Sequence, residues 1–136
     1  MANLYGLDAI GNAAYVKATG AGSNSDPYVV QNDLFNAALK SAQITNSASA
    51  DVIAAVASNK LRVLAMTITA SAACTVKLQS GGTTDRTPPF HIAANGNITL
   101  SNPLGLFESV SGEKINAVLT GAATYSVFLS YREVAA

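Results

Sequence analysis

Charge is scarce in this sequence. Lysine, arginine, aspartate and glutamate make up 12% of its 136 residues, about half of the roughly 25% usual for a soluble domain. The eight basic and eight acidic side chains cancel. No basic patch or stripe is visible, so the chain lacks the electrostatic footprint of a nucleic-acid binder, and none is expected as a partner. Tryptophan is absent. Cysteine occurs once, as Cys74, which excludes an internal disulfide, and the composition supplies no zinc-ligand set. Histidine also occurs once, as His91. No apolar run approaches the ~18–20 residues of a membrane-spanning helix. The opening Met1-Ala2-Asn3-Leu4-Tyr5 has neither a basic stretch nor an apolar core behind it, so no secretory signal is expected there.

These shortages carry a positive implication. A chain with few charges and no net charge is poorly defended against association. Its mean hydropathy is +0.28, high for a soluble chain. Much of its surface is therefore expected to be covered by copies of itself or by a larger assembly.

What is present is strand punctuation. Residues 88–132 read as five short strands with their turns written between them. Asn95-Gly96 lies between Phe90-His91-Ile92 and Asn97-Ile98-Thr99, and an Asn-Gly pair between β-prone runs predicts a hairpin with a type I′ turn. Asn102-Pro103, Gly105, Ser111-Gly112 and Gly121 punctuate the remainder. Residues 74–79 alternate, with Cys74, Val76 and Leu78 inward and Thr75, Lys77 and Gln79 outward. Residues 60–69 put Leu64, Met66 and Ile68 on one face, with Val63, Ala65, Thr67 and Thr69 on the other. Both faces are largely uncharged, which predicts a strand in the middle of a sheet and covered on both sides. Residues 113–119 place Ile115, Ala117 and Leu119 together. In the last strand Tyr125, Val127, Leu129 and Tyr131 share a face, and Phe128 is the odd residue on a polar one.

The chain thus divides into an extended arm with a short helical turn (1–39) and a β-domain (40–136). In the arm, Leu4, Tyr5, Leu7, Tyr15 and Tyr28 are apolar anchors without strand or helix period. Asp33 is placed to cap a helical turn carrying Leu34, Phe35, Ala38 and Leu39, with a strand starting near Lys40; the alternative is that the strand has already begun. Residues 51–57 fit strand or helix, and Ser58-Asn59 is a two-residue turn. From residue 40 onward there are roughly eight candidate strands. The expectation is an all-β fold: one jelly-roll-like antiparallel β-sandwich, with an extended N-terminal arm and at most one short helix.

The chemistry-bearing residues are few. Cys74 falls on an apolar face and is expected in the core rather than as a nucleophile. His91 points away from Phe90 and Ile92, towards solvent or a subunit contact, and no G-x-S-x-G elbow accompanies it. Glu108 and Glu113 are the only near carboxylate pair of the β region, and two solvated loop carboxylates account for them better than a glycosidase pair does. Asp85-Arg86 suits an exposed ion pair of little worth, or equally a contact in a polar loop tip. Gly20-Ala21-Gly22 superficially resembles a dinucleotide fingerprint, but the third glycine is missing and Pro27 follows. The Asn97-Ile98-Thr99 sequon has no secretory context. No catalytic, cofactor or metal residue is assigned, and no enzyme is expected.

Several stretches in order resemble one family. They are Pro89-Phe90-His91-Ile92-Ala93-Ala94-Asn95-Gly96, then Asn102-Pro103-Leu104-Gly105-Leu106-Phe107-Glu108, then Ser111-Gly112-Glu113-Lys114-Ile115, then a terminal Val127-Phe128-Leu129-Ser130-Tyr131-Arg132-Glu133-Val134. Together they resemble a recurrent jelly-roll domain of tailed-bacteriophage virion structural proteins. The likeness covers residues 60–134, and Tyr15 to Tyr28 is similar to a segment preceding such domains. It implies a homo-oligomer that decorates or cements a capsid, or forms part of a head fibre or tail, on the surface of a virion assembled in the host cytoplasm. The shortness of the chain favours decoration.

On that reading the major capsid protein is the partner. Leu4, Tyr5, Leu7, Tyr15 and Tyr28 are the expected capsid contacts, Phe128 and His91 the expected oligomer contacts, and a trimer is favoured over a dimer. The alternative is a tail or head-fibre component that binds a receptor or carbohydrate. Sugar platforms usually need exposed aromatics, and three of the five tyrosines precede the β region.

Overall fold

A computed structural model describes residues 37–136 and, before them, four two-residue strands. The chain divides into two compact units, Met1–Asn36 and Ala37–Ala136. In the first, β1 (Gly6–Leu7) pairs antiparallel with β2 (Ala13–Ala14), and β3 (Ala18–Thr19) with β4 (Val29–Val30).

The second unit runs through β5 (Lys40–Asn46), β6 (Ala50–Ile53), β7 (Asn59–Ala70), β8 (Cys74–Ser80) and β9 (Thr84–Asp85). It continues with β10 (Phe90–Ile92), β11 (Asn97–Ser101), β12 (Phe107–Glu108), β13 (Ile115–Thr120) and β14 (Tyr125–Ala135). No helix occurs among the described residues. Residues 37–39 are irregular, and residues 33–36 of the expected helical turn lie outside the described ones.

Two antiparallel sheets result, ordered β11-β7-β14-β5 and β10-β8-β13-β6, with β12 added to β7 and β9 to β8. From β5 to β8 every connection changes sheet; β8 and β10 stay together; from β10 to β11 and from β12 to β13 and β14 the chain changes sheet again. This is the strand order of a jelly roll, a solution that lets eight short strands close around one core. The inner faces supply that core. Leu61, Val63, Ile68, Val76, Leu78, Ile115, Ala117 and Leu129 are completely buried. Cys74 is buried among them, and loss of solvation pushes its thiol pKa up, which suits an inert core residue.

Three local expectations change. First, Asn95-Gly96 makes a turn but no hairpin. Gly96 N–H donates to Ala93 O at 2.9 Å, and Asn95 holds φ 56°, at the third turn position, where a type II turn puts it. The strands on either side then part, β10 into one sheet and β11 into the other. Gly96 O accepts from Ala70 N–H at 3.2 Å, which ties the corner to the end of β7.

Second, Val63 rather than Leu64 faces the core. Ser130 pairs with Ala65 and Tyr131 with Val63, so Leu64 is an extra residue in the ladder. Such a bulge reverses the in-out alternation, which puts Leu61 and Val63 inside on one side of it and Met66 and Ile68 inside on the other. Third, β7 is central in its sheet but not covered on both sides, because Thr69 is exposed and Thr67 half-exposed. A smaller shift occurs at the β6–β7 turn, which is closed by Asn59 N–H donating to Val56 O, with Ser58 at φ 60°.

Leu78 is fully buried at the centre of the inner face of its sheet. Leu78→Ala is expected to cost about 2–5 kcal/mol, the range for a buried leucine whose cavity cannot collapse. Urea unfolding of the two proteins checks this as a drop in midpoint at constant slope.

Candidate functional site

The two outer faces of the sandwich differ in charge. Along the β10-β8-β13-β6 sheet, charged side chains pair across strands. Lys77 Nζ lies 2.9 Å from Asp85 Oδ1 and Lys114 Nζ 2.8 Å from Asp51 Oδ2. Gln79 Nε2 donates to Asp85 Oδ1 at 2.6 Å. Asp85 therefore pairs with Lys77 and not with its neighbour Arg86, whose Nε is buried. His91 sits on this face, exposed, with Nδ1 3.0 Å from Thr75 Oγ1.

The β11-β7-β14-β5 sheet carries its charges at one end. Arg62 Nε and Nη2 both reach Glu108 Oε1, at 2.7 and 2.6 Å. Lys40 Nζ donates to Glu133 Oε1 at 2.6 Å, and that bond raises the lysine pKa. Arg132 donates to the Ala37 carbonyl. Beyond this end the outer face is neutral. The register aligns Asn97, Thr69, Ser126 and Thr45 in one row across the four strands. The next row is Thr99, Thr67, Phe128 and Gln43, and the third is Ser101, Ala65, Ser130 and Ser41. None of the twelve is charged and none is buried. Hydroxyls couple across strands: Thr45 Oγ1 and Ser126 Oγ are 2.7 Å apart, Thr67 Oγ1 and Thr99 Oγ1 3.3 Å. Phe128 stands in the middle row, 43% exposed. A groove of about 410 Å³ runs beside it, lined by Gln43, Thr45, Thr67, Thr69 and Ser126.

The expected site residues separate under this geometry. Phe128 and His91 project from opposite outer faces, so no single flat contact includes both. Leu4, Tyr5, Tyr15 and Tyr28 lie outside the described residues, and Leu7 is described only as part of the β1 backbone. Glu108 and Glu113 have separate partners: Glu108 is held by Arg62, while Glu113 Oε2 accepts from Ser80 Oγ at 2.6 Å. That serine is completely buried and also accepts from Val110 N–H at 2.9 Å, so the pair closes a turn onto β8. Gly81 belongs to the same closure. It holds φ +65°, and a Cβ there would stand 2.7 Å from the Glu113 carboxylate.

The neutral rows were invisible as a site from the sequence. Their one signal was the uncharged set Ala65, Thr67 and Thr69 opposite the core face of β7, which suits a covered strand equally well. No protein-family model matches the chain, and no curated protein matches it. What the fold defines is a class, an antiparallel β-sandwich with jelly-roll strand order.

Ser80→Ala leaves the Glu113 carboxylate and Val110 N–H without their buried partner and is expected to cost about 1–3 kcal/mol, read from urea unfolding. Asp85 gives a pH test. Its bond from Gln79, and then that from Lys77, hold its carboxyl below the ordinary 3.8. A lowered folded pKa stabilises above the unfolded value, and the gain is lost as pH falls through the folded one. The wild type should therefore lose stability relative to Asp85→Asn as pH drops below about 4. Parallel curves of unfolding midpoint against pH would show that the bonds contribute nothing.

Proposed function

We propose that this chain is a structural subunit of a tailed-bacteriophage particle, a decoration or cement protein that binds the outside of the head as a homo-oligomer. The observation that carries the reading is the division of the chain at Asn36/Ala37. The sandwich of the second unit has its own continuous core. The first unit carries Leu4, Tyr5, Leu7, Tyr15 and Tyr28, the residues proposed as the apolar anchors. The low charge content and the ordered likeness of residues 60–134 to virion jelly rolls support the same reading.

The mechanism is mechanical. A rigid sandwich holds several arms at fixed positions, and each arm lies across neighbouring shell subunits. Apolar anchors contribute roughly 25 cal/mol per Å² of apolar surface before ordering costs are subtracted. Joining arms in one oligomer, a trimer by preference, makes each later contact intramolecular and raises avidity without new contacts.

The test uses particles that lack the protein, incubated with the full chain or with residues 37–136 and imaged by cryo-electron microscopy. The full chain is expected to add density at regular positions on the shell, and the truncated chain to fold and leave the shell bare. Density only at the neck or tail would move the protein there. Shell binding by residues 37–136 equal to that of the full chain would remove the arm from the mechanism.

A further inference from the structure

We propose that the neutral outer face of the β11-β7-β14-β5 sheet binds a neutral oligosaccharide, with the Phe128 ring as the surface on which one sugar stacks. Such a site goes beyond a particle role and would operate whether or not the chain decorates a shell.

Chemistry selects the ligand class. The face offers hydroxyls, each able to donate and to accept, together with the amides of Gln43 and Asn97. It offers no charge with which to hold a phosphate, a carboxylate or an ammonium group. A neutral polyol has the matching inventory. It needs donors and acceptors at short, regular intervals, and adjacent strands set them about 4.8 Å apart, with successive outward residues about 6.7 Å apart. It also needs an apolar plane for its C–H face. Phe128 supplies one, flanked in its row by Thr67 on one side and Gln43 on the other. These groups stand on strands of a closed sandwich, which hold them more rigidly than loops would.

Size decides between a saccharide and a second copy of the chain. Four strands by three rows span about 20 Å in each direction, roughly 400 Å². A stable protein interface needs about 800 Å² per partner. The Arg62–Glu108 ion pair next to the third row bounds the patch on that side. The depression beside Phe128 is open, which suits a ligand laid along the sheet rather than one enclosed in a cleft. A patch of this extent accommodates two or three sugar units.

The experiment titrates the nitrogen-15-labelled full chain with cellotriose, maltotriose and triacetylchitotriose, each to tens of millimolar, and follows the backbone amide spectrum. At least one probe is expected to shift Gln43, Thr45, Thr67, Thr69 and Ser126 together. Phe128→Ala should weaken that binding roughly tenfold or more, equivalent to about 1.4 kcal/mol, with an unchanged melting temperature. Lys77→Gln, on the opposite face, should leave it unaltered. Absence of shifts on this face with all three probes would overturn the proposal, as would binding indifferent to Phe128→Ala. So would concentration-dependent broadening of the same amides without sugar that Phe128→Ala abolishes, which would assign the face to a second copy.

Discussion

The ladder between β7 and β14 holds the rest of the sandwich in place. It runs from Tyr125 opposite Ala70 to Ala135 opposite Asn59. Leu61, Val63, Met66 and Ile68 from one strand and Tyr125, Val127 and Leu129 from the other form its inner face. β11 and β12 attach to the free side of β7, and β5 to the free side of β14. The second sheet then covers the inner face with Val76, Leu78, Ile115 and Ala117. These strands are far apart in the chain, so their pairing carries a loop-closure cost before burial repays it. The Leu64 bulge is part of the same constraint. Without it, one uninterrupted alternation could not bury both Val63 and Met66.

That ladder also creates the outer surface. Each strand that turns Val127, Leu129 or Ile68 inward turns Ser126, Phe128 or Thr67 outward, because the side-chain period is two. Sheet register then gathers outward residues from four strands into rows that no linear segment contains. Charges lie along the opposite sheet and at one end of this one. Exposed ion pairs of that kind contribute little to stability, so their placement matters more for where a neutral partner can lie. The proposed particle attachment through residues 1–36 and the proposed saccharide binding on the sheet face call on different residues of the chain.

Much of the β-domain was legible in sequence. The five strands of residues 88–132, the start of the first long strand at Lys40, the inward set Cys74, Val76 and Leu78, and the antiparallel sandwich itself all follow from alternation and turn residues. Each reports a preference of a few adjacent residues, and such preferences survive into the fold when burial agrees with them. The errors fall where distant segments intervene. Asn95-Gly96 turns as expected, yet its two strands find better partners in β8 and β7 than in each other. The residue facing inward near Leu64 depends on a bulge that only pairing with β14 reveals.

The sequence by itself determined the class of fold, the lack of a second cysteine for an internal disulfide, and a low charge content. These follow from composition and short-range period, which need no knowledge of partners. Tertiary structure alone decided that Glu108 and Glu113 serve different contacts, that Phe128 and His91 face opposite ways, and that the hydroxyls of Thr45, Ser126, Thr67 and Thr99 meet on one surface. The physical reason is register. Which residues become neighbours across a sheet is set by pairing between strands dozens of positions apart, and no local pattern encodes it.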